Sequence, residues 1–145
     1  MNSPFSDELA QVRTLLPTLT PSVDATIPFT ALAGDLSAAE EPATRTRAFE
    51  VAADGSTGIT SGMLAPHSRQ ARRRFTVTIL YDSQHDNPAL DSTVAADDDL
   101  LIANIEQPPY PAGVQFVVCA GARVVKSGDF LRRSIDFDCL YVHSF

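Results

Sequence analysis

The strongest constraint on the fold lies in the last third of the chain. Gly113 to Lys126 and Phe130 to Val142 read as two long strands joined by a Ser127-Gly128-Asp129 turn. In the second strand Ile135, Phe137, Cys139 and Tyr141 share one face, while Ser134, Asp136 and Asp138 share the other. That is the period-two pattern of a strand with one wet side. In the first, Val114, Phe116, Val118, Ala120, Ala122 and Val124 point one way and Val117, Cys119 and Val125 the other. Apolar residues on both sides predict a strand buried in part on both faces.

The segments upstream supply the rest of an α+β fold. Phe75, Val77, Ile79 and Tyr81 alternate with Arg74, Thr76 and Thr78, predicting a strand from Arg74 to Asp82. Arg47, Phe49, Val51 and Ala53 alternate with Ala48, Glu50 and Ala52 in the same way, and Asp24 to Phe29 has room for one short strand. A first helix is predicted from a Ser6 cap, with Asp7 and Glu8 in its opening turn, Leu9, Val12 and Leu16 on its apolar face, and Pro17 as its stop. Asp97, Asp98 and Asp99 are read as the opening of a second helix, where carboxylates complement the dipole; Leu101 and Ile105 form its apolar stripe and Pro108-Pro109 ends it. Residues 54–66 are rich in Gly, Ser and Thr without apolar periodicity, and with 68–73 they are read as one long exposed loop, 54–73. At 145 residues the chain fits a single domain, 1–145. A domain of this length buries roughly 70% of its unfolded surface.

Charge narrows the function classes. The formal net charge of -7 disfavours general nucleic-acid binding, which depends on many Lys and Arg contacts with phosphate. From Phe75 to Ala122 there is no Lys or Arg, whereas Asp82, Asp86, Asp91, Asp97, Asp98, Asp99 and Glu106 all fall there. Immediately before that stretch stand Arg69, Arg72, Arg73 and Arg74, so one acidic region and one basic patch are expected. No apolar run approaches the ~18 residues of a membrane-spanning helix, and the first residues lack a basic start and an apolar segment, so neither a membrane span nor export is predicted.

Catalytic signals are weak, and no enzyme activity, cofactor or metal is expected. His67, His85 and His143 lack a second His or Cys at metal-ligand spacing. The Asp82-Ser83-Gln84-His85-Asp86-Asn87 stretch lacks the central Gly and terminal Glu of a calcium loop. Consecutive helical aspartates point about 100° apart and cannot converge on one ion. There is no Walker lysine and no nucleophile elbow. Cys119 and Cys139 lie on neighbouring strands and are expected to be buried thiols, with a cross-strand disulfide as the alternative. The arginine cluster is either a contact surface, since guanidinium forks carboxylates and phosphates, or a strand-edge charge run that discourages aggregation. If it is a contact surface, Arg69, Arg72, Arg73 and Arg74 of one copy could face acids such as Asp97 and Asp98 of the next, as heterologous ring interfaces allow.

The layout resembles the tail terminator (tail-completion) proteins of long-tailed bacteriophages. The residues that carry this are Phe75-Thr76-Val77-Thr78-Ile79-Leu80-Tyr81-Asp82, the helix Asp97 to Ile105, and the closing strand Arg132 to Val142. The resemblance covers the chain from about Arg47 onward and leaves residues 17–46 unexplained. It implies a mixed, mostly antiparallel sheet flanked by two helices, assembling as a ring, commonly a hexamer, on the head-proximal end of the tail tube. There the ring would stop tube growth and meet the head completion or connector protein, with genome DNA passing through unbound. The implied location is the virion tail, with subunits in the host cytoplasm during assembly. Another head-tail connector, a tail-tube or baseplate subunit, or a small ligand-binding α+β domain are the alternatives.

Overall fold

The computed structural model describes residues 3–23, 25–31, 46–65, 68–82, 90–127 and 130–144. Helix α1 spans Pro4–Leu15 and starts one turn earlier than Ser6, because Ser3 is the cap and Pro4 begins the helix. The Ser3 side chain accepts the Ser6 backbone N–H at 3.1 Å, and proline suits a first-turn position whose N–H has no helical partner. A short 3-10 turn, Leu16–Thr18, follows. Strand β1 is only Thr30–Ala31, displaced from the expected strand at 24–29.

The long hairpin β2 (Ala48–Ala65) and β3 (Ser68–Asp82) comes next, then helix α2 (Leu90–Ile105), then the hairpin β4 (Val114–Ser127) and β5 (Phe130–Ser144). The five strands form one mixed sheet in the order β1-β2-β3-β5-β4, parallel at β1/β2 and antiparallel elsewhere. The expected α+β architecture with its C-terminal hairpin is therefore present.

The reading of 54–73 as a loop is overturned. Residues 54–65 extend β2 and 68–73 open β3, pairing Thr57 with Arg73, Gly58 with Arg72, Ile59 with Ala71 and Met63 with Arg69 through three register shifts. Gly, Ser and Thr hide a strand from periodicity arguments, but the ladder needs only backbone groups, and β5 holds β3 along its whole length from the other side.

Among the described residues both helices pack on one face of the sheet, and the opposite face, which carries no helix among those residues, is the helix-free face. Phe75, Val77, Ile79 and Tyr81 of β3 lie beside Phe137, Ile135, Arg133 and Leu131 of β5 on that face. Phe75 stacks on Phe137 with centroids 5.3 Å apart, and Phe5 of α1 meets Phe75 edge-on at 6.3 Å and Tyr141 at 6.0 Å. Leu9, Val12 and Leu16 from α1 and Leu101 and Ile105 from α2 complete this core, as their spacing predicts. Gly113 ties its edge: at φ 90° an added Cβ would come 2.7 Å from Pro4 Cγ, so only glycine fits between β4 and the start of α1.

Strand β4 departs from its expected alternation. Register shifts between Val114 and Phe116 and between Cys119 and Gly121 insert extra residues opposite β5. Each such bulge turns the following side chains to the other face. Val117, opposite Cys139, is consequently buried, while Phe116 and Val118, opposite Leu140 and Asp138, emerge on the helix-free face. Both cysteines are free thiols; Cys119 lies opposite Phe137, so the two do not face each other across the ladder.

Candidate functional site

The alternation of β3 splits the arginine cluster between two faces. Arg72 and Arg74 lie on the helix-free face, whereas Arg73 turns under α1, its guanidinium 4.5 Å from the centre of the Phe5 ring. Arg69 occupies the β3 position between Met63 and His143. Arg72 is exposed. Arg74 forks the Asp138 carboxylate across the ladder at 2.9 and 3.4 Å. Next along the sheet, Asp136 accepts Thr76 Oγ1 at 2.7 Å and Arg123 Nη1 at 2.6 Å, and Thr78 meets Ser134 at 3.2 Å. This face is a band of cross-strand polar pairs. Beyond it on β4 rises an apolar strip: Phe116, Val118 and Val125 are each 43 to 55% exposed.

The aspartate run does not open a helix. Helix α2 begins at Leu90, which places Asp97 in its middle, on the same buried stripe as Thr93, Leu101 and Ile105. Asp97 is fully buried and receives Arg47 Nε at 2.8 Å, Arg47 Nη2 at 3.0 Å and Tyr81 Oη at 2.7 Å. It is thereby removed from any contact with a neighbouring copy. Asp98 takes Arg133 Nη2 at 2.7 Å and Nε at 3.0 Å. Burial raises the Asp98 carboxyl above its ordinary range, with Arg133 pulling it back. Asp99 is exposed. The three carboxylates diverge, and among the described residues no group of three His, Cys, Asp or Glu side chains is arranged to hold a metal. His67 and His85 lie outside the described residues.

Arg47 is the residue sequence reasoning missed. Its alternation with Phe49, Val51 and Ala53 predicts one position of a strand, yet it precedes β2 with a φ of 64° and is wholly buried. Its guanidinium also donates to the Ile27 carbonyl at 2.9 Å and the Val23 carbonyl at 2.6 Å, and lies 5.6 Å over the Phe29 ring. Its backbone N–H bonds Leu80 O at 2.7 Å, and its carbonyl receives Thr30 N at 3.0 Å. One side chain thus joins the segment before β1 to α2 and, through Asp97, to Tyr81 of β3. Burial, and then the Asp97 charge, raise the Tyr81 hydroxyl far above its usual range, so it stays a donor. This network holds elements together and offers no exposed reacting group.

The acid on the first helix is handled differently. Glu8 lies on the buried face of α1 with Phe5, Leu9 and Val12, and its Oε2 has no hydrogen-bond partner among the described residues. Desolvation pushes its carboxyl up to about 7. Close by, burial and then the Glu8 charge push the Cys139 thiol up to about 12, which makes it a poor nucleophile while the helix is seated. The outer face of α1 bears an open groove of about 630 Å³ lined by Asp7, Ala10, Gln11, Thr14, Leu15, Thr18 and Pro111. Gln11, one of its lining residues, donates to Pro109 O at 3.0 Å. No helix among the described residues is long and apolar enough to cross a membrane.

The helix-free sheet face and its β4 border are therefore the candidate contact surface. Four of the five most exposed large apolar side chains among the described residues, Phe116, Val118, Val124 and Val125, lie on β4. In the strand order β4 is outermost, so its outer edge has no strand partner among the described residues. Glu106 restrains that edge at one point, its carboxylate accepting the Cys119 backbone N–H at 2.7 Å beside the second bulge. The chain matches no protein-family model, and no curated protein matches it significantly.

Proposed function

We propose that this chain is a structural subunit that works by self-association, forming a ring that caps the head-proximal end of a phage tail tube. In that role it ends tube polymerisation and makes the joint to the head. The observation that carries the reading is the border strand β4, a 14-residue edge that projects apolar side chains. An exposed edge of this length is a template for another chain, and clustered apolar side chains mark interaction sites. Its cross-strand polar band suits a contact that forms and seals without a deep pocket. The charge of -7 suits a conduit through which DNA must pass without being gripped.

The partners on this reading are further copies of the chain, the tail tube protein and a head completion or connector protein. Imaging of virions made without this gene product tests it. Abnormally long or headless tails are the expected result, and normal tails joined to heads would reject the reading. In parallel, Val118→Lys should abolish any oligomer larger than a dimer seen by native mass spectrometry while leaving the circular dichroism spectrum unchanged.

A further inference from the structure

We propose that Glu8 makes α1 a proton-sensitive clasp, seated on the sheet when its carboxyl is protonated and released from it when the carboxyl ionises. The geometry places a carboxyl in a largely apolar interface that solvates it poorly. Glu8 is 1% exposed, is flanked on its own face by Phe5, Leu9 and Val12, and leaves Oε2 unbonded among the described residues. An ionised carboxylate in such a place must find a partner, a solvent path or a different position.

The groups facing it are few. From β3 comes Arg73, whose guanidinium is engaged with the Phe5 ring and whose buried Nε is also without a hydrogen-bond partner among the described residues. From β5 come Cys139 and Tyr141, both buried and held neutral by desolvation; a thiol and a phenol carry no positive charge in either protonation state. The β2 residues on this face, Phe49 and Val51, are apolar, as is Val117 of β4, and Cys119 further along β4 is a free cysteine that brings no cation. On α1 itself, Arg13 is committed to the Val51 carbonyl at 2.8 Å, and Asp7 adds negative charge in the first turn. Arg73 and Arg13 are therefore spent on an aromatic face and a backbone carbonyl, and among the described residues no ion pair of Glu8 opposes the cost of charging it. Glu8 titrates from about 7 in the seated helix against an ordinary 4.5, so raising the pH through this window favours release.

Release uncovers a specific reporter, because Cys139 is 0% exposed beneath this helix. The experiment uses the full chain with the half-exposed Cys119 replaced by Ser, with Glu8 and, separately, with Glu8→Gln. Maleimide labelling of Cys139 is timed from pH 5 to pH 8. Taking the ratio of the two proteins' rates at each pH cancels the intrinsic dependence of the thiolate. The ratio should rise about tenfold across the range and level off above pH 7. Hydrogen exchange on the same pair separates a clasp from general weakening: α1 amides should lose protection with pH only when Glu8 is present, while α2 amides behave alike in both proteins. A flat labelling ratio, as would result if Arg73 left Phe5 to neutralise Glu8 in place, overturns the proposal. So does equal loss of protection in α1 and α2.

Discussion

Asp97 on α2 and Glu8 on α1 are both shut between a helix and the same face of the sheet, yet Asp97 accepts three hydrogen bonds from Arg47 and Tyr81, whereas Glu8 leaves Oε2 with no partner among the described residues. Burying a charge is costly in both places. Around Asp97 that cost is offset by a bidentate cation and a hydroxyl, each in turn held by other elements. Around Glu8 it is met by keeping the proton. The first arrangement fixes one geometry, and the second couples the seating of a helix to protons. The α2 side of the core is a lock and the α1 side is adjustable.

The largest effect should come from breaking the satisfied acid. Asp97→Ala leaves the Arg47 guanidinium buried without the carboxylate that forks it, and should lower the unfolding free energy by about 3–5 kcal/mol in urea titrations. Replacing both partners, as Arg47→Met with Asp97→Leu, should recover much of that loss, because no charge is then stranded. If the double variant is as unstable as the single, Arg47 matters mainly through its carbonyl contacts and its left-handed backbone. Tyr81→Phe removes one donor and should cost about 1–2 kcal/mol in the same titrations.

The contrast was only half legible in the sequence. The stripe Leu9, Val12, Leu16 and the odd-numbered faces of β3 and β5 follow directly from periodicity, and the core forms where they point. Asp97 was hidden because three consecutive aspartates look like helix-start electrostatics. The available signal was its spacing: Thr93, Asp97, Leu101 and Ile105 recur every four residues, and an acid on that stripe implies a buried cation. Arg47 gave no such signal, since the acceptors of these guanidinium hydrogen bonds lie at separations of 20 to 50 residues. The candidate contact surface was obscured by two bulges in β4, which local alternation cannot reveal because they are defined only against β5.

Removing the adjustable acid should have a smaller effect of opposite sign. With its folded-state pKa raised from 4.5 to about 7, Glu8 binds its proton more tightly in the native state than in the unfolded chain. Stability from this group is therefore intact below about pH 4.5 and is lost as pH rises toward 7. Glu8→Gln should match the wild type at pH 4.5 and exceed it by about 1–2 kcal/mol at pH 8, a discounted figure that allows for solvent reaching the helix edge. Equal stability at both pH values would show that the carboxyl is solvated in the native state and would erase the comparison with Asp97.

The smallest effect on stability, and the one that bears on assembly, belongs to Arg72. The two arginines that follow it are both engaged, Arg73 with Phe5 and Arg74 with Asp138, whereas Arg72 stands exposed on the helix-free face opposite Leu140. Arg72→Glu should shift thermal stability by under about 0.5 kcal/mol, as surface changes usually do. Arg74→Glu would set like charge against Asp138 and should cost more, so the pair of variants distinguishes a free surface charge from a fold contact. If the helix-free face meets another copy, Arg72→Glu weakens the oligomer at unchanged stability. If the oligomer persists while Val118→Lys dissolves it, the contact runs along the β4 edge and leaves the arginines of β3 outside it.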